Sequence, residues 1–368
     1  MDGYAFAHRD CAGRDKLPLS QTIYAGAKAP PLQASSCARV FTGSLLPQGA
    51  DTVVVQENVT RDKDVINFIQ PVPARGTHVR QAASIYAHND TLIEAGRALW
   101  PQHISLLASA GIARVKVKKR PRVALLSTGD ELVQLGPQVT GGGAKQPPLY
   151  QADSLQPWQS IDSNQLQIAT LFQQLGCMVV CQMHVPDSQD LLVNCMQDAA
   201  SDCDLLLTCG GASVGDRDYL HQAIAKLGEV NIWKISIRPG KPFLFGWIDT
   251  QNGTKPVLGL PGNPLSALIT SLMLVRPFLG GMLDLPFHAI SPPTFRIPCD
   301  FSFSGDARRT LWLQVTQHGE KLQLAGKQLS DQLSCAAQAS GVAMLEPGQN
   351  ISPGQTLPYI PYSSLLHW

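Results

Sequence analysis

No stretch of about 18 uninterrupted apolar residues occurs in this chain of 368 residues, which speaks against a membrane-spanning helix. The opening residues, MDGYAFAHRD, carry neither a basic n-region nor an apolar h-region, so a secretory leader is not expected. An excess of either charge is also lacking: 29 Lys and Arg against 28 Asp and Glu leave a net charge of +1. That balance offers no electrostatic case for binding nucleic acid or an acidic membrane surface. There is no CxxC pair among the nine cysteines, Cys177 and Cys181 being four apart, and the nine histidines are scattered. A zinc site usually has tighter cysteine spacing with partner histidines, so reduced, mostly buried thiols of a cytoplasmic protein are expected. No internal repeat is visible.

What is present describes a globular chain: 44% hydrophobic and 15% charged residues over a length that calls for two to four domains. Residues 1–89 alternate short apolar runs with turn residues and read as a β-rich N-terminal domain. Residues 90–119 follow, with PQHISLLASAG predicted as a helix and ARVKVKKRP as a strand-like stretch that hands the chain to the next domain. Residues 120–289 are expected to form an α/β domain on a central, mostly parallel, doubly wound sheet. Its strands are RVALLS, MVVCQMHV, DLLLTC, VNIWKISI, FLFGW and PVLGL, and its helices NQLQIATLFQQLG, SQDLLVNCMQDAA, HQAIAKLG and LSALITSLMLV. Asp162 or Ser163 is the expected cap of the first helix. Residues 290–368 return to short strands and form a β-rich C-terminal domain. Residues 136–160, rich in Gly, Pro and Gln, read as a surface insertion.

Three loops after predicted strands concentrate the chemistry. In an open parallel sheet, loops at the strand C-termini converge on one crevice. GGASVGDRDY brings Gly210, Gly211 and Ser213 together with Asp216 and Asp218; acids beside an anion-binding loop imply a bridging metal, since bare carboxylates repel phosphate. In VNIWKISIR, a period of two puts Lys234, Ser236 and Arg238 on one face, with Lys234 about 13 Å from Arg238. That spacing suits two anionic positions. Arg238 and Lys241 flank Pro239-Gly240 and can clamp a tetrahedral dianion, the arginine as a fork and the lysine as a point charge. LGLPGNP places a rigid turn, with Pro261 and Pro264, ahead of a helix whose free N–H groups favour an anion. STGDEL adds Asp130 and Glu131, read either as carboxylates for Mg²⁺ or a ribose, or as the acidic cap of a following helix.

Seven stretches, MDGYA, FTGSLLPQGADTVVVQEN, RPRVALLSTGDEL, IDSN, GGASVGDRDY, WKISIRPGKP and GLPGNPLSA, occur in an order and spacing that resemble the MoeA molybdopterin molybdotransferases and the C-terminal part of gephyrin. The resemblance implies insertion of molybdate into adenylylated molybdopterin, with release of AMP and dependence on Mg²⁺. Carried over by position, it implies metal or nucleotide roles for Asp130, Glu131, Asp187 and Asp218, contact of Ser213 with the pterin nucleotide, and of Lys234 with its phosphate. Arg238, Lys241, Arg309 and Ser330 become candidates for molybdate, with Pro242, Pro261 and Pro264 shaping the pocket. It further implies a homodimer in which Asp2 and Thr42 approach the partner's site, and an adenylyltransferase that supplies the substrate.

Three departures accompany it. The family has residues ahead of MDGYA, so the N-terminal segment is expected to be missing here. The family's GEDI stretch reads Ala83-Ser84-Ile85-Tyr86, which replaces an acid by an apolar side chain. The insertion before IDSN lies close to the predicted crevice. Beside the transferase stand two alternatives: a catalytically impaired paralogue that binds molybdopterin or scaffolds the pathway, and the adenylyltransferase itself, against which the flanking β-rich domains count.

Overall fold

The computed structural model describes residues 1–134, 155–211 and 219–368. The chain divides into two compact units, Met1–Leu92 and Ile93–Trp368. The first is β-rich. Strands β1 (Gly3–Phe6), β2 (Lys16–Ile23), β3 (Cys37–Val40), β4 (Thr52–Val55), β5 (Val59–Asp62) and β6 (Val65–Phe68) form a sheet in the order β4-β1-β3-β2-β6-β5. Alternation along β1 explains its two cores: Tyr4 and Phe6 pack on one side with Leu17 and Ile66, while Ala5 packs on the other with Ile23 and Val53.

In the second unit, α1 (Pro101–Ser109) is the predicted helix. The stretch after it joins no sheet among the described residues, contrary to expectation. Val115 and Val117 are exposed, so the alternating Val/Lys pattern has no apolar face to bury and no strand to pair with.

The central sheet combines β7 (Arg122–Thr128), β10 (Met178–Val185), β11 (Leu205–Cys209), β12 (Gly228–Trp233), β14 (Leu244–Thr250) and β15 (Gly253–Leu260) in the order β10-β7-β11-β15-β14-β12. The first four in that order run parallel; β14 pairs antiparallel with β15 as a hairpin, and β12 pairs antiparallel with β14 at the edge. Short strands β8 (Leu132–Val133) and β9 (Ser160–Ile161) pair separately. Helices cover both faces. Val123 and Leu125 of β7 pack against α2 (Ser163–Gln174), α5 (Pro264–Thr270) and α6 (Arg276–Met282). Ala124 and Leu126 pack against α3 (Gln189–Ser201) and α4 (Tyr219–Leu227). This is the doubly wound arrangement that βα alternation predicts.

One helix, Pro264–Met282, is long and apolar enough to cross a membrane by length and composition alone. Its Leu265, Ile269, Leu272, Val275 and Leu279 are nevertheless buried against the sheet, so its apolar character serves the core. Arg276 in this helix is 1% exposed. Its guanidinium donates to the carbonyls of Ile290 (2.5 Å) and His367 (2.8 Å) and lies 4.7 Å over the Trp368 ring. The Trp368 indole donates in turn to Leu175 O at 2.9 Å. No acid pairs with Arg276 among the described residues, and burial pulls its pKa down.

The C-terminal sheet runs β13-β17-β19-β20-β16, with β18 on β17, where β13 is Ile237–Arg238, β16 Phe295–Pro298, β17 Thr310–His318, β18 Lys321–Leu324, β19 Gly341–Leu345 and β20 Thr356–Pro361. Its edge strand thus comes from the α/β region. This overturns the continuous strand expected over VNIWKISI. Lys234 adopts φ +74, its N–H donates to Phe243 O (2.8 Å), and Ile235 N–H donates to Lys241 O (3.2 Å). The chain therefore turns at Lys234, and Ile237 and Arg238 pair with Thr310 and Leu311 instead. The period-two argument that set Lys234 and Arg238 on one strand face fails with the strand. All nine cysteines are free thiols, as expected.

Candidate functional site

Four parallel strands end at one crevice. Thr128 ends β7, with Gly129 and Glu131 beyond it, Asp187 follows β10, Cys209 ends β11 ahead of Gly210 and Gly211, and Pro261 to Pro264 lead from β15 into α5. With the start of α2 they line a cavity of about 620 Å³. This is where an open α/β sheet offers a ligand site. Glycine is required at Gly210: it sits at φ +90, and a Cβ there would lie 2.6 Å from Thr128 O. The missing Cβ lets the loop after β11 pack directly against the end of β7.

Asp130 and Glu131 form a turn leading into β8, not the cap of a helix, so that alternative is set aside. Asp130 does not line the cavity; its Oδ1 accepts the Asp187 N–H at 3.0 Å and ties the two acidic loops together. His184, which sequence reasoning did not single out, lies with Nε2 2.8 Å from Gly129 O and fixes the same turn. Cys209 is buried, and burial together with nearby Asp162 pushes its thiol well above the usual range, so it is no thiolate nucleophile.

A second cavity of about 510 Å³ adjoins the first, and Pro242, Asn263 and Ser266 line both. It lies between α5, the 238–242 turn and the C-terminal sheet. Arg238, Lys241, Pro242, Arg309 and Ser330 all line it, so the structure brings these five predicted residues together. Their charges differ in availability. Arg309 is forked onto Asp306, Nε at 2.9 Å and Nη2 at 2.5 Å, which holds the Asp306 carboxyl down at about 2. None of the ion pairs among the described residues engages Arg238 or Lys241, and both are exposed. An anion entering the cavity meets these two cations first. Asn263 precedes α5, and its side chain does not cap the helix; Nδ2 donates to Ser330 Oγ at 3.0 Å, across 67 residues of sequence. Sequence reasoning passed over Asn263, whose only signal was its place between two prolines.

Of the remaining predicted residues, Ser213, Asp216 and Asp218 lie outside the described residues, as does most of the 136–160 insertion. Lys234 lines neither cavity. Asp2 and Thr42 belong to the first unit and bond each other: Asp2 Oδ1 accepts from Thr42 N–H (2.8 Å) and Oγ1 (3.0 Å), which lowers the Asp2 pKa. Ile85 is exposed in an irregular segment.

Among the described residues no three His, Cys, Asp or Glu side chains cluster as a metal cage. Glu131 and Asp187 both line the first cavity, and one or two carboxylates together with substrate phosphates and waters are the donor set that could hold a hard divalent cation.

A family signature described as "MoeA N-terminal region (domain I and II)" matches residues 1–111, and one described as "Probable molybdopterin binding domain" matches residues 124–281. The molybdopterin molybdenumtransferase of Haemophilus influenzae is 32% identical over 376 aligned positions, covering 100% of this chain and 87% of the relative. The chain belongs to the MoeA family. The Nostoc molybdopterin molybdenumtransferase is 33% identical over 96% of this chain and 80% of its own length. A crystal structure of the Pyrococcus horikosii molybdopterin biosynthesis MoeA protein superposes with a TM-score of 0.77 at 26% identity, covering 98% of this chain and 86% of that one. These matches correct one expectation. The N-terminal region of the MoeA family is matched from residue 1, so the N-terminal segment is present and the strands around MDGYA are part of it.

Proposed function

We propose that this MoeA-family chain is a molybdopterin molybdotransferase, which inserts molybdate into adenylylated molybdopterin and releases AMP during molybdenum-cofactor biosynthesis. The observation that carries this reading is the pair of adjoining cavities of opposite character, one presenting free cations and the other carboxylates and glycine backbone, with Pro242, Asn263 and Ser266 common to both. A reaction between an oxyanion and a nucleotide-activated ligand needs such a pair side by side. The names carried by its relatives agree with it.

In this reading molybdate occupies the smaller cavity. Arg238 grips two of its oxygens as a fork, Lys241 supplies a point charge, and Ser330, held by Asn263, donates its hydroxyl. Arg309, neutralised by Asp306, contributes shape and hydrogen bonding more than charge. The nucleotide lies in the larger cavity against Gly210, Gly211 and the Pro261–Pro264 turn, close to the free N–H groups at the start of α5. Glu131 and Asp187, with Asp218, would hold Mg²⁺, which when bound neutralises phosphate charge. Ser213 would contact the pterin nucleotide and Lys234 its phosphate. Positioning and electrostatics suffice for this chemistry, and no side-chain nucleophile is invoked. We further place the chain in the cytoplasm as a homodimer, with Asp2 and Thr42 reaching the partner's site, taking its substrate from a molybdopterin adenylyltransferase.

The test is AMP release by purified chain given adenylylated molybdopterin. Release should require both molybdate and Mg²⁺, vanish on chelation and return with added Mg²⁺. Tight substrate binding without AMP release would instead favour an impaired, pathway-scaffolding paralogue, for which Ile85 in place of the family's acid is the relevant observation.

A further inference from the structure

The cationic cavity also has a carboxylate in its wall. Asp331 follows Ser330 and lines the cavity together with Arg238, Lys241 and Arg309. The fold gives this acid no task of its own. Its side chain is exposed, and no ion pair among the described residues engages it. It precedes the short helix Leu333–Gln338, which starts without a side-chain cap. A spare negative charge beside an anion site weakens the site, because like charges repel at close range. The charged groups that share the cavity with Asp331 are Arg238, Lys241 and Arg309, the last neutralised by Asp306; neither α5 nor the Leu333–Gln338 helix carries any. An acid set among cations, with no structural bond to make, points to a part in the reaction.

We propose that Asp331 carries protons in the exchange of ligands at molybdenum: it accepts a proton from an incoming thiol and delivers it to the departing oxo ligand. The proposal rests on the transferase reading, which brings molybdate to this cavity and a dithiol to meet it. In that exchange two Mo–S bonds form and one Mo–O bond breaks. Both thiol protons leave with the oxygen as water, the dianionic charge is kept, and molybdenum stays hexavalent. Positioning and electrostatics serve the phosphate chemistry in the larger cavity, but here protons must also pass from sulfur to oxygen. Few groups in the lining can carry them. It contains no histidine, cysteine or tyrosine, and Asp331 is its one carboxylate among hydroxyls, amides and cations. The cations hold a dianion best by keeping their protons. A carboxylate within reach of the reacting atoms is a suitable general base and, once protonated, a suitable general acid.

The test compares the full chain with Asp331→Asn and Asp331→Glu in two assays whose results should move in opposite directions. Titration calorimetry with molybdate alone reads the anion site. Asp331→Asn removes a repelling charge and should bind molybdate at least about threefold more tightly. Molybdate-dependent AMP release from adenylylated molybdopterin reads turnover. There Asp331→Asn should lower kcat by about 10²-fold at saturating molybdate, the usual size of a general acid–base contribution. Asp331→Glu keeps the carboxylate and should recover kcat to within about tenfold. The wild-type kcat should fall on the acid side of its pH profile, as the acceptor fills with protons, and Asp331→Asn should lack that limb. A residue that acts only through its charge or its packing would leave kcat and the profile as they are. Unchanged or weakened molybdate binding by Asp331→Asn, a kcat within about twofold of the wild type, or a retained acid limb would each overturn the proposal. If the wild type releases AMP and the variant does so equally well, Asp331 alone loses its role. If the wild type releases none, the transferase reading falls and takes the proposal with it.

Discussion

Replacing Arg238 by Gln and Lys241 by Met together lowers kcat/KM for molybdate by about 10³-fold, with the KM for adenylylated molybdopterin nearly unchanged. Each charged hydrogen bond to an oxyanion is worth about 1.5–3 kcal/mol, and each 1.4 kcal/mol is a factor of ten. Two such bonds account for the size of the loss. Its restriction to molybdate follows from the geometry: both cations line the smaller cavity and neither lines the larger one. Arg238→Lys should retain part of the activity, because it keeps the charge and loses the fork. Steady-state AMP release with molybdate varied provides the measurement. Equal losses for both substrates would mean that the two cavities do not divide the ligands in this way.

Arg276→Ala destabilises the chain by about 3–5 kcal/mol, seen as a lowered midpoint in urea or guanidinium. The side chain is almost wholly enclosed, and its loss leaves the Ile290 and His367 carbonyls without donors and a void beneath Trp368. Hydrogen bonds from a charged donor are worth about 1.5–3 kcal/mol each, the lower end applying to partly buried carbonyls such as these, and a large-to-small change in a core adds its own cavity term. The His367–Trp368 contacts are the most sensitive, since they fasten the chain's last residues to α6 and to Leu175. Arg276→Met, close in volume, should recover the packing part and not the hydrogen bonds. A midpoint unchanged by Arg276→Ala would show that the tail docks without the guanidinium.

The central sheet was legible because its pattern is local. Strands such as RVALLS carry apolar residues toward both faces, and the helices between them bury one stripe each, so alternation and layering follow from neighbours in sequence. The break at Lys234 was not legible. A period-two pattern runs smoothly through WKISI, and only the pairing of Ile237 and Arg238 with Thr310 and Leu311, far along the chain, draws it away from the central sheet. The strand-like ARVKVKKRP had the right residue types and no partner. For the site, the turn chemistry of RPGKP and PGNP marked Arg238, Lys241, Pro261 and Pro264, which do line the two cavities. What pattern could not convey is which cations are already spent: Arg309, a molybdate candidate by resemblance, is held by Asp306. Asp162 was legible as a helix cap because its partner, the Gln165 N–H, lies three residues on. Asn263 was missed for the opposite reason, since its partner Ser330 is supplied by a distant loop.

Crystals of the chain grown with tungstate, AMP and Mg²⁺ offer the most direct test, because tungstate copies the shape and charge of molybdate and its anomalous scattering locates it unambiguously. A single strong peak in the smaller cavity, within hydrogen-bond reach of both Arg238 and Lys241, with the AMP phosphate in the larger cavity near Glu131 and Asp187, is the predicted result. A tungsten peak among those carboxylates, or AMP in the cationic cavity, would contradict the division of labour from which the function was argued.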